Sequence, residues 1–332
     1  MVAGIDIDAD CQFPYEANNP GAKFVQADVS EFSTAELRAL YPPESRMLLA
    51  GCAPCQPFSM LNHGKDPWAR KEWRLLDSFA RLVSQLKPEF VSMENVPQVK
   101  RRKPFKDFLQ TLKTHEYAVD WKVINSADYG VPQERRRLVL LGSRIGSIQV
   151  PSPTHLGNKR RTVRQAISEL PKVEAGKCDS ADPLHAAAGL KEINLRRIRA
   201  SEPGGTWQDW PEDLKLACHK KKTGRSFTPV YGRMKWDSPS PTITTQAYNL
   251  GSGRFGHPSQ DRAITLREAA ILQTFPRSYQ FVPPNRAMSL STIGKLIGNA
   301  VPPRLGEVLA RAILGPSRSF EGAPPTTVLP HA

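Results

Sequence analysis

Cys55 stands in the run Ala53-Pro54-Cys55-Gln56-Pro57, after the apolar stretch Met47-Leu48-Leu49-Ala50 and a turn marked by Gly51 and Pro54. A thiol so placed sits at the carboxyl end of a buried strand, where open α/β sheets gather their chemistry. Glu94-Asn95-Val96 follows a second apolar run, and Gln133-Glu134-Arg135-Arg136-Arg137 precedes a third. A thiol, a carboxylate and paired guanidiniums, each beside a strand, suit nucleophilic attack on a polarised ring.

Each group also has an ordinary reading. A lone cysteine is commonly a buried structural thiol. Cys52 and Cys55 form a C-x-x-C pair before a possible helix, which admits thiol exchange with Cys52 as the attacking sulfur. Exchange leaves Gln56-Pro57-Phe58-Ser59 unexplained, whereas covalent catalysis by Cys55 uses it. No metal site is expected, because Cys178 and Cys218 are too far apart to complete a finger. Glu94 closes an apolar strand, which fits a site or a solvated strand end. Gln133, Arg135 and Arg137 alternate, so on a strand they share one face, either to hold an anion or base edge or as an exposed strand edge.

Positioning these groups requires a sheet. Apolar runs at Val2–Ile7, 24–25, 47–50, 90–93, 121–124 and 138–141 read as strands. Helical spacing appears at 72–86 through Leu75, Leu76, Phe79, Leu82, Val83 and Leu86, and again around Phe105, Phe108 and Leu112. Residues 9–18 form a further helix despite Pro14. The strand–helix order predicts right-handed crossovers and a largely parallel sheet. From Pro151 to Arg262 the chain turns rich in Pro, Gly, Arg, Lys and Trp with weak periodicity, which predicts an irregular second domain. Helical patterning returns at 266–273 and 304–314, and the tail beyond Gly315 reads as disordered.

The chain has 332 residues and a formal net charge of +14, from 46 Lys and Arg against 32 Asp and Glu. Such a balance fits a polyanionic partner, most simply nucleic acid, although solvated surface charge produces the same count. No apolar stretch reaches the ~20 residues that span a bilayer. Asp6, Asp8 and Asp10 near the N-terminus fit no secretory signal, so a cytoplasmic protein is expected, and its five scattered cysteines are expected to be reduced thiols.

Taken together, these blocks resemble the DNA (cytosine-5) methyltransferase family along nearly the whole chain. The resemblance rests on Pro54-Cys55-Gln56, Glu94-Asn95-Val96, and Gln133-x-Arg135-x-Arg137 with its lead-in at 125–132. It continues through Arg262-Ala263-Ile264-Thr265-Leu266-Arg267-Glu268-Ala269-Ala270, Leu272-Gln273-Thr274-Phe275-Pro276 and Gly298-Asn299-Ala300-Val301-Pro302-Pro303. It implies an α/β fold: a Rossmann-like, S-adenosylmethionine-dependent methyltransferase sheet carrying an inserted, mostly irregular/β target-recognition domain. The implied domains are catalytic over 1–150, target-recognition over 151–287, a returning segment over 288–316 and a disordered tail over 317–332.

The implied reaction is methyl transfer from S-adenosylmethionine to carbon 5 of a flipped cytosine in duplex DNA. Cys55 would add to carbon 6, Glu94 would bind ring N3 and the exocyclic amine, Arg137 would hold O2, and Arg135 would orient the base or thiolate. The cofactor would contact Asp6, Ile7, Asp28, Val29, Pro54, Leu75, Asn299 and Val301. DNA would meet Gln133, Arg225, Arg233, Arg254 and Thr244. The implied protein is a bacterial monomer acting beside a separate cognate restriction endonuclease, with tRNA as a minor alternative substrate. One departure matters: the family carries a strand and a Phe-x-Gly-x-Gly turn ahead of the acidic residue, and only five residues precede Asp6. The catalytic domain is therefore expected to be N-terminally truncated and to bind S-adenosylmethionine weakly. The rival reading is a catalytically inactive DNA-binding paralogue that has lost the cofactor loop.

Overall fold

The computed structural model describes residues 1–52, 74–221, 227–284 and 286–315. The chain opens with β1 (Ala3–Asp6), α1 (Gln12–Asn18), β2 (Lys23–Gln26) and α2 (Thr34–Ala39). Ser33 and Glu36 cap α2 reciprocally, each side chain accepting from the other's backbone N–H. Next come β3 (Leu48–Gly51), α3 (Arg74–Leu86), β4 (Phe90–Asn95), α4 (Lys103–Thr114), β5 (Ala118–Asn125) and β6 (Arg136–Ser143).

These strands form two sheets. β1 and β2 pair in parallel as one, and β3, β4, β6 and β5 lie in that order in the other. β3 runs parallel to β4, but β6 is antiparallel to both β4 and β5. β3, β4 and β5 therefore run the same way, as the strand–helix order predicts, and β6 alone is reversed. The link from β5 to β6 holds only a short turn at Ser126–Tyr129, too little chain for a crossover helix.

The four-stranded sheet is covered on both faces. Phe79 and Val83 of α3 and Phe105, Phe108 and Leu112 of α4 pack on Val91, Met93, Leu138 and Leu140. On the other face, Val139, Leu141 and Ile124 meet Leu305 and Leu309, which belong to the last helix of the chain. Residues 138–141 are fully buried, as expected for the interior strand of a covered sheet.

Between β1 and β3 the hydrogen-bonded sheet is interrupted. Val2 and Asp6 accept through their carbonyls from Lys23 and Ala27, so Ala3 and Ile5 turn their backbone groups to the opposite edge. Met47 accepts from Phe90, so Leu48 likewise faces away from β4, and its carbonyl takes the Tyr41 hydroxyl instead. Ile5 and Leu49 nonetheless pack around one cluster made by Phe32, Leu37, Met47, Leu82 and Leu86. The two sheets are joined through this helical layer and not through a ladder.

The second half carries α5 (Val163–Ile167), α6 (Glu192–Arg199), α7 (Ala217–Lys220), α8 (Leu266–Leu272), α9 (Leu290–Asn299) and α10 (Pro303–Leu314). Among its described residues the β content is limited to isolated bridges such as Arg233↔Gly256 and Gly256↔Ala263. α5, α8 and α9 share one core with Met234, Ile243, Phe255 and Phe275. The return to the first core comes after α9, at Pro302-Pro303, so α9 packs in the second core and α10 in the first. Among the described residues no helix is long and apolar enough to cross a membrane. The tail at 316–332 lies outside the described residues.

Candidate active site

The carboxyl ends of β3 and β4 and the amino end of β6 meet at one edge of the four-stranded sheet. Gly51 pairs with Met93, Glu94 with Val139 and Asn95 with Leu138, which leaves Arg137 one step beyond. Gly51 is required at its position, because a β-carbon there would sit 2.7 Å from the Phe79 ring of α3. The chain carrying Pro54 and Cys55 leaves from this edge, and both residues lie outside the described residues.

Glu94 and Arg137 form the centre of what is described. Arg137 Nε lies 2.9 Å from Glu94 Oε1, and the two side chains are 13% and 11% exposed. Burial pushes the Glu94 carboxyl up, and the charges of Arg137 and Arg135 only partly offset it. The result is a carboxyl able to hold a proton above the usual carboxylate range. Cys52 is open as a residue, but desolvation and the Glu94 charge push its thiol up to about 12. That disfavours the thiolate that exchange chemistry at Cys52 would need.

The alternation at 133–137 holds although β6 begins only at Arg136. Gln133, Arg135 and Arg137 point inward, while Glu134 and Arg136 are exposed. They do not share one target. Gln133 is fully buried, donating to Gln273 Oε1 at 2.8 Å and accepting from the Ile243 N–H at 2.9 Å. Arg135 donates to the carbonyls of Ile243, Gly298 and Ala300. Its charge also reaches Glu94 and Cys52.

Two residues expected to contact DNA are enclosed in this structure. Gln133 is enclosed as described. Arg233 is 6% exposed and donates to the carbonyls of Ile198, Ser201, His257 and Gln260 and to the Asp261 carboxylate. Its donors are consumed inside the second half. Arg254 is partly buried, bonds the Gly205 carbonyl, and is lowered by desolvation. Thr244 is exposed, and Arg225 lies outside the described residues.

Of the expected cofactor residues, Asp6, Ile7, Asp28 and Val29 lie at the carboxyl ends of β1 and β2, and Leu75, Asn299 and Val301 lie on other elements. Asp6 closes β1, is exposed, and accepts the Asp8 N–H at 2.9 Å. Ile7 beside it is 66% exposed. Asp28, two residues beyond β2, accepts from Ser30 N and Oγ at 2.8 and 2.6 Å, and the Val29 carbonyl takes Arg81. Leu75 lies partly buried at the start of α3. Ile7 thus presents an exposed apolar surface next to Asp6 at the end of β1. Lys295 of α9 pairs with Asp8 at 2.5 Å, which ties α9 to this turn. Asn299 is exposed at the end of α9, and Val301 packs with the core beneath β6.

One participant stands in a block that carries the resemblance but is given no role there. Gln273 caps α8 and is fully buried, with its amide donating to the Ile297 carbonyl at 2.7 Å and the Ala300 carbonyl at 3.3 Å. A glutamine between Leu272 and Thr274 carries no periodic signal of burial, and only its tertiary partners reveal that it is enclosed.

Comparison with known proteins agrees with the geometry. A C-5 cytosine-specific DNA methylase domain is matched over residues 1–315. Type II methylase M.HgiDII of Herpetosiphon aurantiacus is 49% identical over 325 residues, spanning 97% of this chain and 90% of the relative. Type II methyltransferase M1.HphI of Haemophilus parahaemolyticus is 32% identical over 90% of this chain and 77% of its own. The fold resembles a prophage-encoded DNA modification methyltransferase of E. coli, with a TM-score of 0.71 at 21% identity over 94% of this chain and 91% of that one. The Dnmt2 methyltransferase of S. pombe superposes with a TM-score of 0.58 at 18% identity, over 95% and 90% of the two chains. With a domain match over nearly its full length and a relative identical at almost half its positions, the chain belongs to the C-5 cytosine-specific DNA methylase family.

Proposed function

We propose that this protein methylates carbon 5 of cytosine in duplex DNA, as the modification enzyme of a type II restriction-modification system. The observation that carries the reading is the buried Glu94 carboxyl, raised by desolvation and flanked by Arg137, at the strand edge from which the Cys55 segment departs. S-adenosylmethionine would supply an electrophilic methyl group. Asp6 and Asp28 would accept from its ribose hydroxyls and adenine amine, Ile7 and Val29 would pack on the adenine, and Leu75, Asn299 and Val301 would line the remainder.

The roles of the protein's own residues follow from charge. Addition of the Cys55 sulfur at carbon 6 places negative charge on the ring, toward N3 and O2. A protonated Glu94 donates to N3 and offsets that charge, and Arg137 supports O2. Carbon 5 becomes nucleophilic and takes the methyl group. Loss of the carbon 5 proton and elimination of the Cys55 sulfur then restore the aromatic ring. The target must leave the helix for this attack, so the cytosine is flipped into the Glu94–Arg137 edge.

The test is transfer of tritium from labelled S-adenosylmethionine to duplex DNA, with Cys55→Ser as the control. A 5-fluorocytosine duplex should trap the wild-type protein covalently. Absence of any adduct through Cys55, in protein shown to bind both substrates, would overturn the reading.

A further inference from the structure

Gln133, Ile243, Arg135, Ala300 and Gln273 close a ring of hydrogen bonds in the interior. Gln133 Oε1 accepts the Ile243 N–H, and Arg135 donates to the Ile243 carbonyl. Arg135 and Gln273 both donate to the Ala300 carbonyl. Gln273 Oε1 accepts from Gln133 Nε2 and completes the circuit. Gln133 and Gln273 are fully buried and Arg135 is 3% exposed.

The ring does a job that the local sequence leaves undone. A helix ends with carbonyls that lack intrahelical partners. Near the C-terminus of α9 the carbonyls of Ile297, Gly298 and Ala300 are taken by Gln273 and Arg135. Gly298 lets α9 lie directly on the main chain of Thr244 and Thr245, where a β-carbon would collide. Through Lys295 the same helix holds Asp8, next to Asp6 and Ile7. One buried amide thus connects the segment at 243–245 with the helix that carries Asn299.

We propose that Gln273 is a positioning residue of the methyl-transfer site: it couples the recognition-side segment at Ile243 to the cofactor-side end of α9. The coupling acts through Gln133 and Arg135, and its consequence for S-adenosylmethionine rests on the cofactor placement proposed above.

The test is residue-resolved hydrogen exchange on the cofactor-free protein. Gln273→Met removes the amide at nearly constant volume. It should speed exchange of the Ile243 N–H by about tenfold or more, although Gln273 does not bond that residue. The amides at 297–301 should accelerate with it, while those of α4 should not. Leu112→Ala, a core truncation in α4, should leave Ile243 unchanged and so controls for general loss of stability. If Gln273→Met does not fold, Gln273→Asn keeps the amide one methylene short and is read in the same way. Unaltered Ile243 exchange in the folded variant overturns the proposal. Exchange of wild type with S-adenosylmethionine separates the two ideas. Absence of protection at 6–8 and 297–301 in a complex shown to form would refute the cofactor placement and leave the exchange coupling standing. With that placement upheld, Gln273→Met should raise KM for S-adenosylmethionine by about tenfold and change kcat less than about twofold.

Discussion

Arg137 and Glu94 face each other across antiparallel strands, with Nε and Oε1 2.9 Å apart and both side chains nearly enclosed. Neither group alone identifies a site. Together they make a carboxyl whose proton affinity is raised by burial and restrained by a fixed cation. That tuning suits a group that must donate to a ring nitrogen near neutral pH.

Removing the cation should therefore move the titration. Arg137 lowers the Glu94 pKa against the upward push of burial. Arg137→Met is expected to raise it further, shifting that limb of the kcat/KM profile to higher pH. Glu94→Gln should abolish the limb and slow methyl transfer on the order of 10²-fold. Single-turnover tritium transfer across pH checks both.

Arg262 and Glu268 form a buried pair in the second half, 0% and 1% exposed, with contacts of 2.7 and 2.8 Å. Arg262→Met strands the Glu268 carboxylate in the core. The expected loss is ~3–5 kcal/mol, read from urea denaturation.

His257 lies beside that pair, and burial lowers its pKa to about 4. A histidine held neutral in the folded state binds its proton more readily when unfolded. Its contribution is complete above the unfolded pKa near 6.5 and is lost as pH falls toward 4. The loss is at most about 3 kcal/mol. Melting temperatures of wild type should fall through this window, and those of His257→Gln should fall less.

Arg233→Met distinguishes structural from DNA-binding arginine. Its donors are spent on four carbonyls and Asp261. The variant should lose stability, while the salt dependence of DNA binding keeps its slope. A slope reduced by about one unit would restore the phosphate-contact reading.

The interruption between β1 and β3 bears on the cofactor. Asp6 and Ile7 stand on a two-stranded sheet whose inner edge pairs with no strand among the described residues. Calorimetric titration of this chain with S-adenosylmethionine is expected to show no micromolar binding. Micromolar affinity would refute the argument.

The order of chemical groups along the chain was legible without coordinates, because each lies beside an apolar run whose period is a local property. β3, β4 and β6, with Glu94 and Arg137 at their ends, fall within two or three residues of where the apolar pattern puts them. α9 escaped that pattern, because Gly294 and Gly298 weaken helix propensity, and their purpose is a close contact with residues 244–248. The direction of β6 was equally hidden, since pairing sense depends on the link and not on the strand. Burial of Gln133, Arg233 and Gln273 is likewise a tertiary decision. Polar side chains enter a core only where distant carbonyls and amides meet them, and no local spacing encodes those partners.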